Sequence, residues 1–439
     1  MTKVLSVFLS AVLAAAAFTG CQSAPAPSAP AAAPSTPASA TAEKPKLSGE
    51  LSYWSSWNAT EPQAQTMVKA AEEFMKEYPD VKIEFTFNGR DNSNLVVPAL
   101  QSGQKIDMYD GNVDRCFPVW KDNAIVLDEY FTQSYPTTGG KPFNDCILPA
   151  FTNMAKGIAD GKLMYVPYIP QAFLYFYNKD IFKEAGVTAA PKTWDEFMQA
   201  CEKIKAAGYI PLTFDDAYAE QNFGYYLSRL KGDKFVADLV NDTTKAMWDD
   251  PAVLEAAKVF EDMVKKGYFA KNVGTNRFPA GQQEMVIEGK IAMYLNGTWL
   301  PNEVKDVAGE DFPWGQFAYP TVAGGVDDTS AGAYGSFGIA IDKKCQAPDA
   351  AFQFAVYLTT GKWDAEMSKN AMAIPMSPEA EWPANLADSK AVFEGIKTRY
   401  PAQTSIVLNK DRLPVIRSSA IKLFSGNITA EQFIKEMKA

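Results

Sequence analysis

Polar and apolar positions alternate in blocks along most of this chain. Residues 50–54 form a short run with strand character. The following stretch places Met67, Ala70, Phe74 and Tyr78 on one face at helical spacing, with Thr60 as its expected cap, and Pro79 stops it. Val81, Ile83, Phe85 and Phe87 then alternate with polar residues, the period of a half-buried strand. Strand, helix and strand of this size predict a βαβ unit feeding a parallel sheet. A further helix over 94–101 and a short strand over 106–109 extend it.

The same rhythm continues in a second neighbourhood. Residues 163–166 and 173–177 are apolar, aromatic runs separated by Pro167 and Pro170. Thr193 and Glu196 have capping-box spacing, which predicts a helix from there to about Ala207, ended by Gly208. Another amphipathic helix is expected over 252–266, ended by Gly267. Buried strands are expected over 291–295 and 338–341. A helix starting at Pro348-Asp349 carries Phe352, Ala355 and Leu358 inward. No internal repeat is visible.

The ends and the composition narrow the setting. Lys3, the apolar run 4–18 and Gly20-Cys21 have the layout of a signal peptide over 1–20. The small residues before Cys21 resemble a bacterial lipoprotein processing site, with Phe18 where such sites usually carry Leu. Cys21 is therefore the expected lipidated residue, rather than a free thiol left by ordinary cleavage. The segment 21–47 is rich in Ala, Pro, Ser and Thr and has little to bury, as expected of a disordered tether. The chain is 439 residues long with a formal net charge of -10 and no histidine. The lack of histidine excludes Ser-His-Asp and Cys-His catalysis and every histidine metal site. No basic stripe points to nucleic acid. No phosphate-cradling glycine loop or Cys-x-x-Cys pair appears, so no cofactor and no metal are expected. Beyond Cys21, Cys116, Cys146, Cys201 and Cys345 allow several pairings. Cys116 with Cys146 closes the shortest loop and is the first pairing to test.

A series of segments then stands in a familiar order: 161–167 (GKLMYVP), 174–182 (LYFYNKDIF), 184–186 (EAG), 191–197 (PKTWDEF), 292–299 (AMYLNGTW) and 335–341 (GSFGIAI). Taken together they resemble the extracellular sugar-binding proteins of ABC transporters, the group that includes maltose-binding protein. The resemblance covers nearly the whole chain after the tether. It implies an α/β, two-lobe periplasmic-binding-protein-like fold (type II) whose hinge is crossed three times, near 170–173, 332–335 and 373–375. The first lobe would hold 48–171 and 335–373, the second 172–334 and 374–439.

The function implied is that of a non-enzymatic, monomeric receptor. It would be held outside the cytoplasm on a membrane by its lipid and capture a small carbohydrate or polyol for permease subunits with a cytoplasmic ATPase. The other readings weighed are a secreted carbohydrate-active hydrolase and a sensory or adhesive lipoprotein using the same cleft.

Ligands of open α/β sheets sit beyond the carboxyl ends of the strands. Sugars offer hydroxyl pairs to amide, carboxylate and guanidinium groups, and flat C–H faces to aromatic rings. On those grounds the candidate contacts are Ser56, Trp57 and Asn58 after the first strand, and Asp110, Asn112 and Arg115 after the third. Asp114-Arg115 matches an Asp-Arg pair of the relatives, with an internal salt bridge as the plainer role. Gln171 falls at the first crossing, where maltose-binding protein carries an acidic contact. Asp216 and Asn222 lie in a loop-to-helix region. Trp299 matches the place of a stacking Trp. Tyr334 lies on a glycine-rich crossing, and Arg412 on the last third of the chain.

Overall fold

The computed structural model describes residues 45–439 except Glu288, Glu310 and Ala402. The expected signal peptide, Cys21 and nearly all of the tether lie outside the described residues. Among the described residues nine strands form the framework: β1 (Gly49–Ser55), β2 (Val81–Phe87), β3 (Met108–Asn112), β4 (Val166–Asn178), β5 (Ile210–Leu212), β6 (Ile291–Gly297), β7 (Trp314–Phe317), β8 (Ala331–Ile341) and β9 (Thr398–Tyr400). They pair in the order β2-β1-β3-β8-β4-β6-β5, with β7 on β4 and β9 on β8.

The expected βαβ unit is present. β1 runs parallel to β2 and to β3, and the connecting helix Pro62–Glu77 buries Met67, Ala70 and Phe74. Its start differs from expectation. Glu61, not Thr60, occupies the cap position, and its carboxylate accepts the Asn58 amide at 2.6 Å. Pro62 at the first turn lacks an N–H that would need capping. In the second half the Thr193 box forms as spaced: Thr193 Oγ1 accepts the Glu196 amide, and Glu196 accepts that of Thr193, both at 3.2 Å. The helices Trp194–Ala206 and Pro251–Lys265 end before Gly208 and Gly267, both at positive φ, where a Cβ would be strained.

Two long strands join the halves. The first part of β4 pairs with β8 from Val166 to Ala172, and its second part pairs with β6 from Phe173 to Tyr177. The two apolar runs separated by prolines are thus one strand. Its register shifts between Tyr168 and Pro170, and Ile169 there adopts φ 48°, a conformation that costs a β-branched residue energy. β8 is longer than the 338–341 expected, running from β9 at Ala331–Ala333 to β3 at Phe337–Ile341. A third passage follows Ala371. The helix Gly361–Ala371 packs on Pro62–Glu77, whereas Asn385 beyond it bonds Gln316 of β7 at 2.9 Å. The architecture is a two-lobe type II fold. Its cores are aromatic: Phe74, Phe352 and Phe354 in the first half, and Tyr175, Phe197, Phe317 and Tyr319 in the second, are all buried.

Cys116, Cys146, Cys201 and Cys345 are all free, which overturns the Cys116–Cys146 pairing. Cys116 is buried against Gly111, where an added Cβ would sit 2.6 Å from its sulfur, and burial pushes its pKa up to about 12. Cys146 instead directs its sulfur to the carbonyls of Pro142 and Thr138.

Candidate functional site: a cleft between two half-sheets

The carboxyl ends of β1, β2 and β3 gather Ser56, Trp57, Arg90 and Asp110. Asp110 is fully buried. Its Oδ1 accepts the Ser56 amide at 2.8 Å, and its backbone carbonyl accepts Ser56 Oγ at 2.6 Å. Burial raises the Asp110 pKa to about 6, against the lowering effect of the Ser56 amide and of nearby Ser55, Tyr168 and Tyr53 hydroxyls. Trp57 is also buried. Its ring stacks on Phe337 at 4.4 Å, and its Nε1 donates to the Tyr168 hydroxyl at 2.8 Å. Ser56, Trp57 and Asp110 therefore form a supporting layer, not a free contact surface.

That layer presents Arg90, whose guanidinium carbon lies 4.5 Å from the Trp57 ring centroid. Arg90 donates to the Ser56 carbonyl at 2.6 Å and pairs with Glu61 at 2.7 Å. Asn58 is exposed beside them. Neither Arg90 nor Glu61 is among the contacts expected from sequence. Arg90 could have been found, because it follows the end of β2 just as Ser56 follows β1.

Opposite them stand side chains from β4, β6 and the helices that follow β5 and β6. Trp299 is half-buried, with its ring centroid 6.1 Å from both Phe173 and Tyr218. Tyr218 lies 6.1 Å from the exposed Phe278. The Trp299 indole lies directly on Gly297, where a Cβ would come within 2.1 Å of the ring, so only glycine leaves room for it. Glu303 follows one turn later. It keeps solvent access, yet surrounding protein raises its pKa to about 7, eased by a 3.0 Å bond from Gln282 and by the charge of Arg90. The charges of Arg90 and Glu61, from the first half, thus act on the Glu303 carboxyl of the second.

Further along, a cavity of about 780 Å³ is lined by Arg115 from the helix after β3 and by Asp216, Arg277, Lys410 and Arg417 of the second half. Asp216 pairs with Arg277 at 2.9 Å and accepts the Phe278 amide at 2.7 Å; burial raises its pKa, but these partners lower it below the usual value.

The remaining candidates make other contacts. Asn222 is buried in the second half, accepting the Tyr175 hydroxyl at 2.7 Å. Arg412 donates to the Met437 carbonyl and so ties down the C-terminal helix. Tyr334 packs edge-on between Phe151 and Phe393, with the Arg399 guanidinium 5.6 Å from its ring. Gln171, partly exposed, faces Gly335 where β4 and β8 run side by side. Asn112 is partly buried at the end of β3, before the helix Val113–Trp120. Asp114 pairs with Arg399 rather than with its neighbour Arg115.

The sequence profile of one family, the bacterial extracellular solute-binding proteins, matches residues 58–364. The chain belongs to that family. As a solute-binding protein it works outside the cytoplasm, and no helix among the described residues is long and apolar enough to cross a membrane. The chain is 28% identical over 197 residues to the diacetylchitobiose-binding protein NgcE of Streptomyces coelicolor, covering 44% of this chain and 40% of that one. It is 26% identical over 305 residues, 68% of each chain, to the multiple sugar-binding protein of Streptococcus mutans. The chain spans about half the length of the curated relatives it matches. Among solved structures, a chitin oligosaccharide binding protein shares the fold with a TM-score of 0.69 at 22% identity, over 89% of this chain and 97% of that one.

Proposed function

We propose that this solute-binding protein captures a small carbohydrate in the gap between its half-sheets and delivers it to the permease of an ABC importer. The observation that carries this reading is the arrangement around the gap. Trp299, Tyr218 and Phe278 offer ring faces on one side, and the Arg90–Glu61 pair offers planar polar groups on the other. This is the pairing of chemistry that a sugar ring satisfies. The sugar specificities in the names of the relatives support the same ligand class.

In this reading the lobes are 48–171 with 335–373, and 172–334 with 374–439. Trp299 is the principal stacking residue, Arg115, Gln171 and Asp216 lie along the ligand's path, and Cys21 carries a lipid anchor. A ligand touching both lobes favours the closed form, because it binds that form more tightly. The test is a thermal-shift screen of the chain against a carbohydrate and polyol library. A ligand selective for the native state raises the melting temperature by mass action. At least one saccharide is expected to do so; a flat response across the library would contradict the proposal. Separately, Cys21→Ser is expected to release the protein from membranes, and its retention in the membrane fraction would refute the anchor.

A further inference from the structure

The cavity lined by Arg115 and Lys410 has a charge balance that the neutral-sugar reading does not use. Its walls carry Arg115, Arg277, Lys410, Arg417 and Lys422 against one lining carboxylate, Asp216. Several of these cations are compensated. Arg277 pairs with Asp216 at 2.9 Å, Arg417 with the buried Glu220 at 2.7 Å, and Lys422 with Glu436 at 2.9 Å. Arg115 and Lys410 have no ion-pair partner among the described residues, and both are exposed. They belong to opposite halves of the fold, and Lys410 is close enough for its charge, like that of Arg115, to act on the Cys116 thiol.

This cationic end is tied to the aromatic group through Asp216. Phe278 donates its amide to Asp216, and Tyr218 lies within electrostatic reach of both Arg417 and Glu303. Two uncompensated like charges lining one cavity oppose its contraction. An anion between them would replace that repulsion by two attractions, so closing would be coupled to its arrival.

We propose that the ligand is an acidic saccharide whose anionic group, a carboxylate or a phosphate, is held between Arg115 and Lys410 while its ring lies toward Trp299. This rests on the carbohydrate reading above and narrows it. A guanidinium offers a planar fork to either anion and an ammonium offers a point charge, so both chemistries fit.

Isothermal titration of the full chain with digalacturonate and glucose 6-phosphate, each beside a neutral counterpart (cellobiose and glucose), tests it. At least one acidic probe is expected to bind roughly ten-fold or more tighter than its neutral counterpart, with affinity falling as salt rises from about 50 to about 500 mM. The two acidic arms distinguish a carboxylate from a phosphate. Arg115→Gln and Lys410→Gln should each lose most of that preference while leaving the melting curve of the free protein unchanged, since both side chains are exposed. Neutral probes that bind as tightly as acidic ones, or variants that keep the full preference, would overturn the acidic ligand and leave the carbohydrate reading standing. Binding of neither class would bring down both.

Discussion

Single residues set the chemistry of the gap. Trp299 is held by contact on several sides, so its removal has two separable effects. Trp299→Ala is expected to weaken ligand binding by about 2 kcal/mol or more through the lost ring face. It should also lower folding stability by roughly 1–3 kcal/mol, because part of the ring is packed. Trp299→Phe should keep some of both. Gly297→Ala makes a sharper test, since its methyl group would enter the space of the indole without deleting the ring. It is expected to lower affinity with Trp299 still present, and unchanged titrations would show that the ring position is immaterial.

Asp110 gives a pH signature. Its folded pKa, about 6, lies above the ordinary value of 3.8. The folded state therefore holds this proton more tightly than the unfolded chain does. Its contribution to stability is full below the unfolded pKa and is lost as pH rises through about 6. Asp215 and Asp364, raised by burial to the same value, act in the same direction. Asp110→Asn keeps an acceptor for the Ser56 amide and should flatten part of the fall in urea midpoint between about pH 4 and pH 6.5. An identical fall in variant and parent would remove Asp110 from the account.

At the scale of elements, the crossing is strapped as well as hinged. Arg399 of β9 donates Nε to the Tyr334 carbonyl of β8 at 2.8 Å and pairs with Asp114 of the first half, at side-chain exposures of 18% and 6%. Removing one member of such a pair leaves a poorly solvated charge. Arg399→Ala is expected to cost about 3 kcal/mol of stability and to shift ligand affinity from a place outside the gap. Arg399→Lys should recover part of both, because it keeps the charge and loses the planar second bond. Stability and affinity that match the parent in both variants would argue against a strap.

These elements also mark where sequence reasoning reached and where it stopped. Local signals worked: the alternation in 81–87, the Thr193 capping box and the Gly208 and Gly267 stops all describe structure set by neighbours in the chain. The crossing near 170–173 was legible from the family resemblance, but the two runs flanking it were not legible as one continuous strand, since the partner β8 is distant in sequence. The position of Trp299 just past a strand end was legible from the apolar run before it. The partner of Asp114 was not, because an ion pair over a separation of 285 residues leaves no trace in spacing. The burial of Asn222 was hidden for a related reason. Helix position alone does not say which face of Ala219–Lys231 is buried, and almost every face of it is.

At the scale of the whole molecule, one framework of strands is shared by two halves, and among the described residues β4, β8 and the passage after Ala371 carry the chain between them. Such a connection resists separation but permits rotation about the crossing strands. Capture by closure is the central claim. The most direct measurement is small-angle scattering of the chain with and without a saturating ligand from the thermal-shift screen, with far-UV circular dichroism on the same samples. Binding should lower the radius of gyration and leave the dichroism spectrum unchanged. A radius that stays constant at saturation would contradict closure of the gap around its ligand.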